Sequence, residues 1–274
     1  MDAFEVFLYR STFLDFDRAT IAARLLVGVE FLIGAGLISR IKFKTAWFLA
    51  FVSTLVFCIF LAIQLAGGSD ENCFCFGELM DFSPIESLLK NAVLLLLLVF
   101  VRPLKSLQFK KSALVFGLLC LLAIVLPFIM SPPDIFVSGK FKEAQHDQNA
   151  LNEHIENKSI PHDFVVDKKV VAFYSMGCKF CKMSAERLSV LMRNEALDTN
   201  LVHVVFWESK SRKAADFYEE THSFHYPYIE METKPYLDIT KGRMPLLLLI
   251  ENGVVIDKMN YRTMDEKTIS DFLK

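Results

Sequence analysis

The chain has 274 residues, 53% hydrophobic and 23% charged, with a mean hydropathy of +0.35; that is too apolar for an ordinary soluble protein and too charged for one lying wholly in lipid. The 26 Phe and the net charge of −2 exclude a disordered chain, and 30 Lys+Arg against 32 Asp+Glu leave no basic excess for a nucleic acid. Six Cys are too few for a disulfide scaffold in this length, but they allow two redox pairs.

The apolar segments come first. Residues 19–39 are interrupted only by Arg24 and Glu30, and neither 45–69 nor 112–133 contains a charge. Residues 84–101 carry Glu86 and Lys90 near their start and are wholly apolar from Ala92 to Val101. A hydrocarbon core of about 30 Å takes about 20 helical residues. The expectation is an all-α membrane domain of four helices over 1–131, at about 19–39, 46–66, 85–102 and 112–130.

Loop charges set the orientation. The first loop carries Arg40, Lys42 and Lys44, and the third Arg102, Lys105, Lys110 and Lys111, all without an acid. The second carries Asp70, Glu71, Glu78 and Asp81 without a base. Basic loops stay cytoplasmic, so the second loop and both termini are expected outside. The first 18 residues have no basic start followed by a cleavage site, so the first helix is expected to be its own export signal.

Ser131-Pro132-Pro133 ends the last helix, and 132–162 reads as a linker. From 163 to 274 the pattern alternates. Strands are expected at 170–174, 201–207, 246–250 and 254–259, and helices at 185–193, 210–224 and 264–273. Glu251-Asn252-Gly253 signals a hairpin.

Cys178-Lys179-Phe180-Cys181 follows a strand and opens a helix. A helix N-terminus presents free N–H groups and a partial positive charge, which favour the thiolate. Cys178 is expected to attack and Cys181 to resolve the mixed disulfide. The competing reading is half a zinc site, which needs two more ligands. Residues 182–274 hold no Cys, and His203, His222 and His225 follow no finger spacing, so no metal is expected.

With Gly242-Arg243-Met244-Pro245 placed before a later strand, residues 163–274 resemble a thioredoxin-fold domain. The resemblance implies a cis-proline at Pro245 packed against the disulfide, with Met244 offering backbone contacts to the substrate. The family's Trp before the first Cys is absent here, where Ser175-Met176-Gly177 stands.

Cys73-Phe74-Cys75-Phe76-Gly77 lies in the expected outside loop. Cysteines separated by one residue close only a small, strained and therefore oxidising ring; either could instead pair with a distant thiol, or serve structurally. The string Asn72–Gly77, followed by Pro84 and Asn91, resembles the MauE branch of the DoxX-like membrane proteins, as does the stretch 24–36. That resemblance covers 18–130. It implies four helices and a link to disulfide formation in a periplasmic enzyme.

Other polar groups fall within the spans. Glu30 lies near mid-membrane, as a proton carrier, a pocket-lining group or a protonated acid bonded within the bundle. Arg24 is expected to snorkel, Glu86 and Lys90 to pair, and Asn91 to bond between helices. Cys58 and Cys120 are either a buried redox pair or two small side chains.

The combined expectation is a bacterial inner-membrane thiol–disulfide oxidoreductase with its thioredoxin-like domain on the periplasmic side. Cys178 and Cys181 would exchange disulfides with exported clients and with Cys73 and Cys75. No Cys lies in either inside loop, which weighs toward oxidation or toward reduction of one client, and an oxidising relay would use a quinone. The rival is a non-enzymatic anchor or small-molecule transporter carrying a thioredoxin-fold assembly chaperone.

Overall fold

The change in composition near residue 131 divides the chain in space as well. A computed structural model describes residues 1–66, 83–101, 112–137, 144–209 and 211–274. They form two units, Met1–Pro133 and Asp134–Lys274. Cys73, Cys75 and the charged residues expected in the second and third loops lie outside the described residues.

The first unit is helical: α1 (Asp2–Ser11), α2 (Phe16–Ser39), α3 (Phe43–Ala66), α4 (Pro84–Val101) and α5 (Ser112–Met130). Three of these are long and apolar enough to cross a membrane: Phe16–Ser39, Phe43–Ile63 within α3, and Ser112–Met130. The segment expected as the remaining span is helix α4, which bears Glu86 and Lys90. Its start is a reciprocal capping box. The Ser83 N–H donates to the Glu86 carboxylate at 2.8 Å, and the Glu86 N–H donates to Ser83 Oγ at 3.3 Å. Helix α1 was not expected. Its Val6, Phe7 and Tyr9 are buried, and Phe7 packs with Leu61 of α3.

Helix α2 packs on α1, α3 and α5, and α3 packs on α4. The α2–α5 approach is close because Gly28 has no side chain: a Cβ there would lie 2.4 Å from the Ala123 carbonyl oxygen. Trp47 ties α3 to α4 by donating from Nε1 to the Leu98 carbonyl at 2.7 Å.

The second unit is a five-stranded mixed sheet with helices on both faces. It comprises α6 (Asp134–Val137), α7 (Gln148–Glu156), β1 (Lys168–Tyr174), α8 (Lys179–Asn194), β2 (Val202–Trp207), α9 (Ala214–Glu220), β3 (Tyr228–Met231), α10 (Thr233–Thr240), β4 (Leu246–Glu251), β5 (Val254–Met259) and α11 (Glu266–Leu273). The strand order is β3-β2-β1-β4-β5. Strand β1 runs parallel to β2, with Val170 opposite Val202, and antiparallel to β4, with Phe173 opposite Leu246.

Alternation divides the core between the two faces. Val170, Ala172 and Tyr174 join Val204, Phe206, Leu247 and Leu249 under α8, α9 and α11. Val171 and Phe173 join Val205, Leu246, Leu248 and Ile250 under α7 and α10. Strands covered on both faces read as unbroken apolar runs, as β4 does. The β4–β5 turn has the expected form: Asn252 and Gly253 take φ of 50° and 83°, the two-residue turn that matches strand twist.

Three differences stand out. The span expected as linker, 132–162, is structured where it is described, and from Asp134 it belongs to the second unit. Ala144, Leu151 and Ile160 are buried in the core on the α7 face. Asp147 caps α7 and pairs with Lys241 at 2.6 Å. Strand β3 and helix α10 lie in a stretch from which no element was expected. Helix α8 starts six residues before position 185, because its first turn carries the cysteines rather than an apolar stripe.

His203 on β2 is 4% exposed, and its Nδ1 has no hydrogen-bond partner among the described residues. Burial, aided by the positive charge of Lys169, lowers its pKa to about 4. The unfolded chain binds this proton near the ordinary value of 6.5 while the folded chain does not. The stability of the second unit should therefore be full above about pH 6.5 and fall toward pH 4, by on the order of 3 kcal/mol. Thermal unfolding of the purified chain in detergent across this range should show the slope, and His203→Leu should flatten it.

Candidate functional site

Strand β1 ends at Tyr174, and Ser175, Met176 and Gly177 carry the chain to the start of α8. The Cys178 N–H donates to the Ser175 carbonyl at 3.0 Å, closing the turn. Cys178 is the N-cap of α8, with extended backbone. Its Sγ accepts the Cys181 N–H at 3.4 Å, taking the place usually held by a Ser or Asp oxygen. Cys181 Sγ accepts the Ser175 N–H, also at 3.4 Å.

The two thiols are unequal. Cys178 is half-buried, and its pKa is lowered to about 6. The hydrogen bond with the Cys181 thiol does most of this against the cost of burial, and the N–H groups of Cys181 and Phe180 add to it. Cys181 is fully buried, and burial pushes its thiol well above the ordinary value, as does donating to Cys178. Both are free thiols. One sulfur is thus poised to attack, and the other is held as a protonated reserve within hydrogen-bond reach.

The Met244–Pro245 peptide is cis. Pro245 is buried, while Met244 is partly buried and packs, like Cys178, against the core that holds Cys181. A cleft of about 490 Å³ opens here, its walls including Phe180, Arg243, Met244, Pro245, Tyr261 and Arg262. On the other side a second cleft of about 460 Å³ is lined by Met176, Arg212, Lys213, Asp216 and Glu220 among others. Lys182 pairs with Glu220 at that rim.

Helix α8 is fixed from behind. Arg187, 5% exposed, donates to the Glu266 carboxylate at 3.0 Å and to the carbonyls of Tyr261 and Met264 at 3.3 and 2.8 Å. The Arg262 guanidinium lies over Phe180 at 5.3 Å and Tyr261 at 5.4 Å, and its Nη1 donates to both Asp134 carboxylate oxygens at 3.0 and 3.1 Å. Motif reading missed Arg187, Tyr261 and Arg262. The first is an Arg on the apolar face of α8; the others are distant in sequence from the cysteines, and nothing local marks them.

In the membrane unit, Arg24 does not snorkel. It is 2% exposed and pairs with Glu5 at 2.6 Å. It also donates to the Thr20 carbonyl at 2.7 Å and the Ser131 carbonyl at 2.8 Å. Helix α1 brings the counter-charge, so the guanidinium stays inside. Glu5 was the missed residue, an acid flanked by apolar positions at helical spacing.

Asn91 is 4% exposed, and its Nδ2 has no hydrogen-bond partner among the described residues. Glu30 and Lys90 lie within electrostatic reach of each other across α2 and α4. Glu86 is engaged in the cap of α4. Cys58 and Cys120 are free and partly exposed. No group of three or more His, Cys, Asp or Glu suited to a metal occurs among the described residues.

The family described as methylamine utilisation protein MauE matches residues 1–103. Protein TlpB of Flavobacterium psychrophilum is 23% identical over 271 residues, covering 78% of this chain and 70% of its own length. The N-terminal part is thus similar to MauE, in keeping with the resemblance carried by residues 18–130. The mixed sheet, the cysteines at the start of α8 and Pro245 before β4 are consistent with a thioredoxin fold.

The asymmetry of the thiols has a direct reading. Alkylation of the reduced chain by iodoacetamide should modify Cys178 with a half-maximal rate near pH 6, leaving Cys181 protected until the chain is denatured. A midpoint near the free-thiol value of about 8.5 would contradict the cap described here.

Proposed function

We propose that this multi-pass membrane protein is a thiol–disulfide oxidoreductase whose second unit is a thioredoxin-fold domain on the periplasmic side. The observation that carries the reading is the pairing of a half-buried Cys178 of lowered pKa with a buried, protonated Cys181. Met244 and Pro245, beside this pair, are the residues we assign to client contact.

In the reducing direction, the Cys178 thiolate attacks one sulfur of a client disulfide. A Cys178–client S–S bond forms, the client S–S bond breaks, and the departing thiolate takes a proton. Cys181 then gives up its proton and attacks Cys178 Sγ. The Cys178–Cys181 disulfide forms and the second client sulfur leaves as a thiol. Two electrons pass to the client. In the oxidising direction every step runs in reverse.

The charge of the loops supports the orientation, and the similarity to MauE supports a membrane partner for the exchange. In this reading Cys73 and Cys75 form the second pair and trade electrons with Cys178 and Cys181. A quinone is the acceptor expected of an oxidising relay. The chemistry of Cys178 and Cys181 is the same whichever acceptor stands behind it.

Two experiments test the proposal. In a Cys181→Ser chain, mixed disulfides through Cys178 should accumulate with exported proteins, and a cross-linked peptide joining Cys178 to Cys73 or Cys75 should appear by mass spectrometry. Cycling of Cys178 and Cys181 in cells lacking both Cys73 and Cys75 would reduce the membrane part to an anchor. For orientation, an impermeant maleimide should reach Lys158→Cys, at an exposed site, in cells with a permeabilised outer layer and should miss Lys42→Cys, also exposed. The opposite labelling pattern would place the cysteines in the reducing compartment.

A further inference from the structure

Beyond the exchange chemistry, the walls of the cleft beside Phe180 carry information about the client. Among the described residues they include two guanidinium groups, Arg243 and Arg262, and no carboxylate. The two cations are not equivalent. Arg262 is engaged by both oxygens of Asp134 and lies over Phe180 and Tyr261. Arg243 is half-exposed, and its guanidinium has no hydrogen bond or ion pair among the described residues; its backbone N–H donates to the Thr240 carbonyl at 3.0 Å. The nearby Lys241 is already paired with Asp147 at 2.6 Å.

Among the described residues, Arg243 therefore presents a positive charge at the cleft without a counter-charge, one residue before Met244. The surface beside it is apolar, built from Phe180, Met244, Pro245 and Leu246. A cation next to an apolar floor is complementary to a segment that carries a carboxylate beside an apolar side chain. The cleft on the other flank offers no such selection. Its Arg212 and Lys213 stand with Asp216 and Glu220, and Glu220 is paired with Lys182.

We infer that the Phe180 cleft selects client segments bearing Asp or Glu close to the reacting cysteine, and that Arg243 is the residue that reads this charge. The inference rests on the thiol–disulfide reading above. A charge at the edge of a cleft acts mainly on encounter and orientation, so it shows as a preference between clients and weakens with salt. Arg keeps its charge at all relevant pH and can take a carboxylate bidentately, which Lys cannot.

The test uses the full reduced chain in detergent and short synthetic peptides, each with one cysteine blocked as a methyl disulfide. Flanking positions are Glu, Gln or Lys in an otherwise identical apolar sequence. Release of free peptide thiol is followed chromatographically. Attack by Cys178 and closure by Cys181 consume one methyl disulfide and yield one peptide thiol, one methanethiol and the Cys178–Cys181 disulfide. The wild type should react with the Glu peptide about three- to tenfold faster than with the Gln peptide, and slowest with the Lys peptide. The preference should shrink as salt is raised. Arg243→Gln should bring the Glu-to-Gln rate ratio close to one, and Arg243→Lys should retain part of it. An undiminished ratio in Arg243→Gln, or no preference in the wild type, would overturn the inference and leave the exchange reading standing. Failure of all three peptides to react, with Cys178 still alkylated, would overturn the exchange reading and this inference with it.

Discussion

The thiol pair of the second unit is positioned by one hydrogen bond of modest strength, from the Cys181 N–H to Cys178 Sγ. A helix leaves its first N–H groups without partners in its own backbone, and something must accept them. Here a sulfur does so, and the choice has chemical effects that an oxygen cap would not have. The proton is held loosely on Cys178, chiefly because the Cys181 thiol donates to its sulfur, and the N–H groups of Cys181 and Phe180 at the helix terminus add to this. The same geometry turns Cys181 inward beneath the first turn, where no water reaches it and the thiol keeps its proton. Strand β1 must end at Tyr174 to deliver the chain to this cap, and Ser175 must orient its N–H toward Cys181.

The membrane unit answers a different constraint. A guanidinium within a helix bundle is costly unless its charge and its donors are met. Arg24 is met by Glu5, by the carbonyl of Thr20 one turn away, and by the carbonyl of Ser131 beyond the end of α5. Together these bring α1, α2 and the end of α5 to a single point. The close α2–α5 contact at Gly28 lies one turn further along α2, so the two helices are fixed in both angle and distance.

Much of this was legible in the residues themselves. The strands at 170–174, 246–250 and 254–259 announce themselves because burial on both faces, or a turn at Asn252-Gly253, leaves few alternatives. The cysteine pair at the start of α8 is visible from its spacing after an apolar strand. Helix α1 was not legible, because its Glu5 looks like a surface acid until Arg24 is seen to need it. Strand β3 and helix α10 were missed because the short, aromatic β3 pairs only with β2 and α10 is cut to two turns; tertiary packing decides them. The segment from 144 to 162 read as linker because its few apolar residues are spaced among polar ones. Those few, Leu151 and Ile160 above all, are what fasten it to the sheet. Arg187 has no signature in sequence, since its partners come from a loop more than seventy residues away.

Arg187 also ties the site to its surroundings. Its guanidinium joins the middle of α8 to the backbone of Tyr261 and Met264, and so to the loop that forms one side of the Phe180 cleft. These bonds hold the helix that Cys178 and Cys181 open against that wall. Met244 and Pro245 stand on a separate loop, before β4. The cleft thus has one wall tied to the helix that Cys178 and Cys181 open and another that leads into β4, so its width is set by two separate anchorages rather than one.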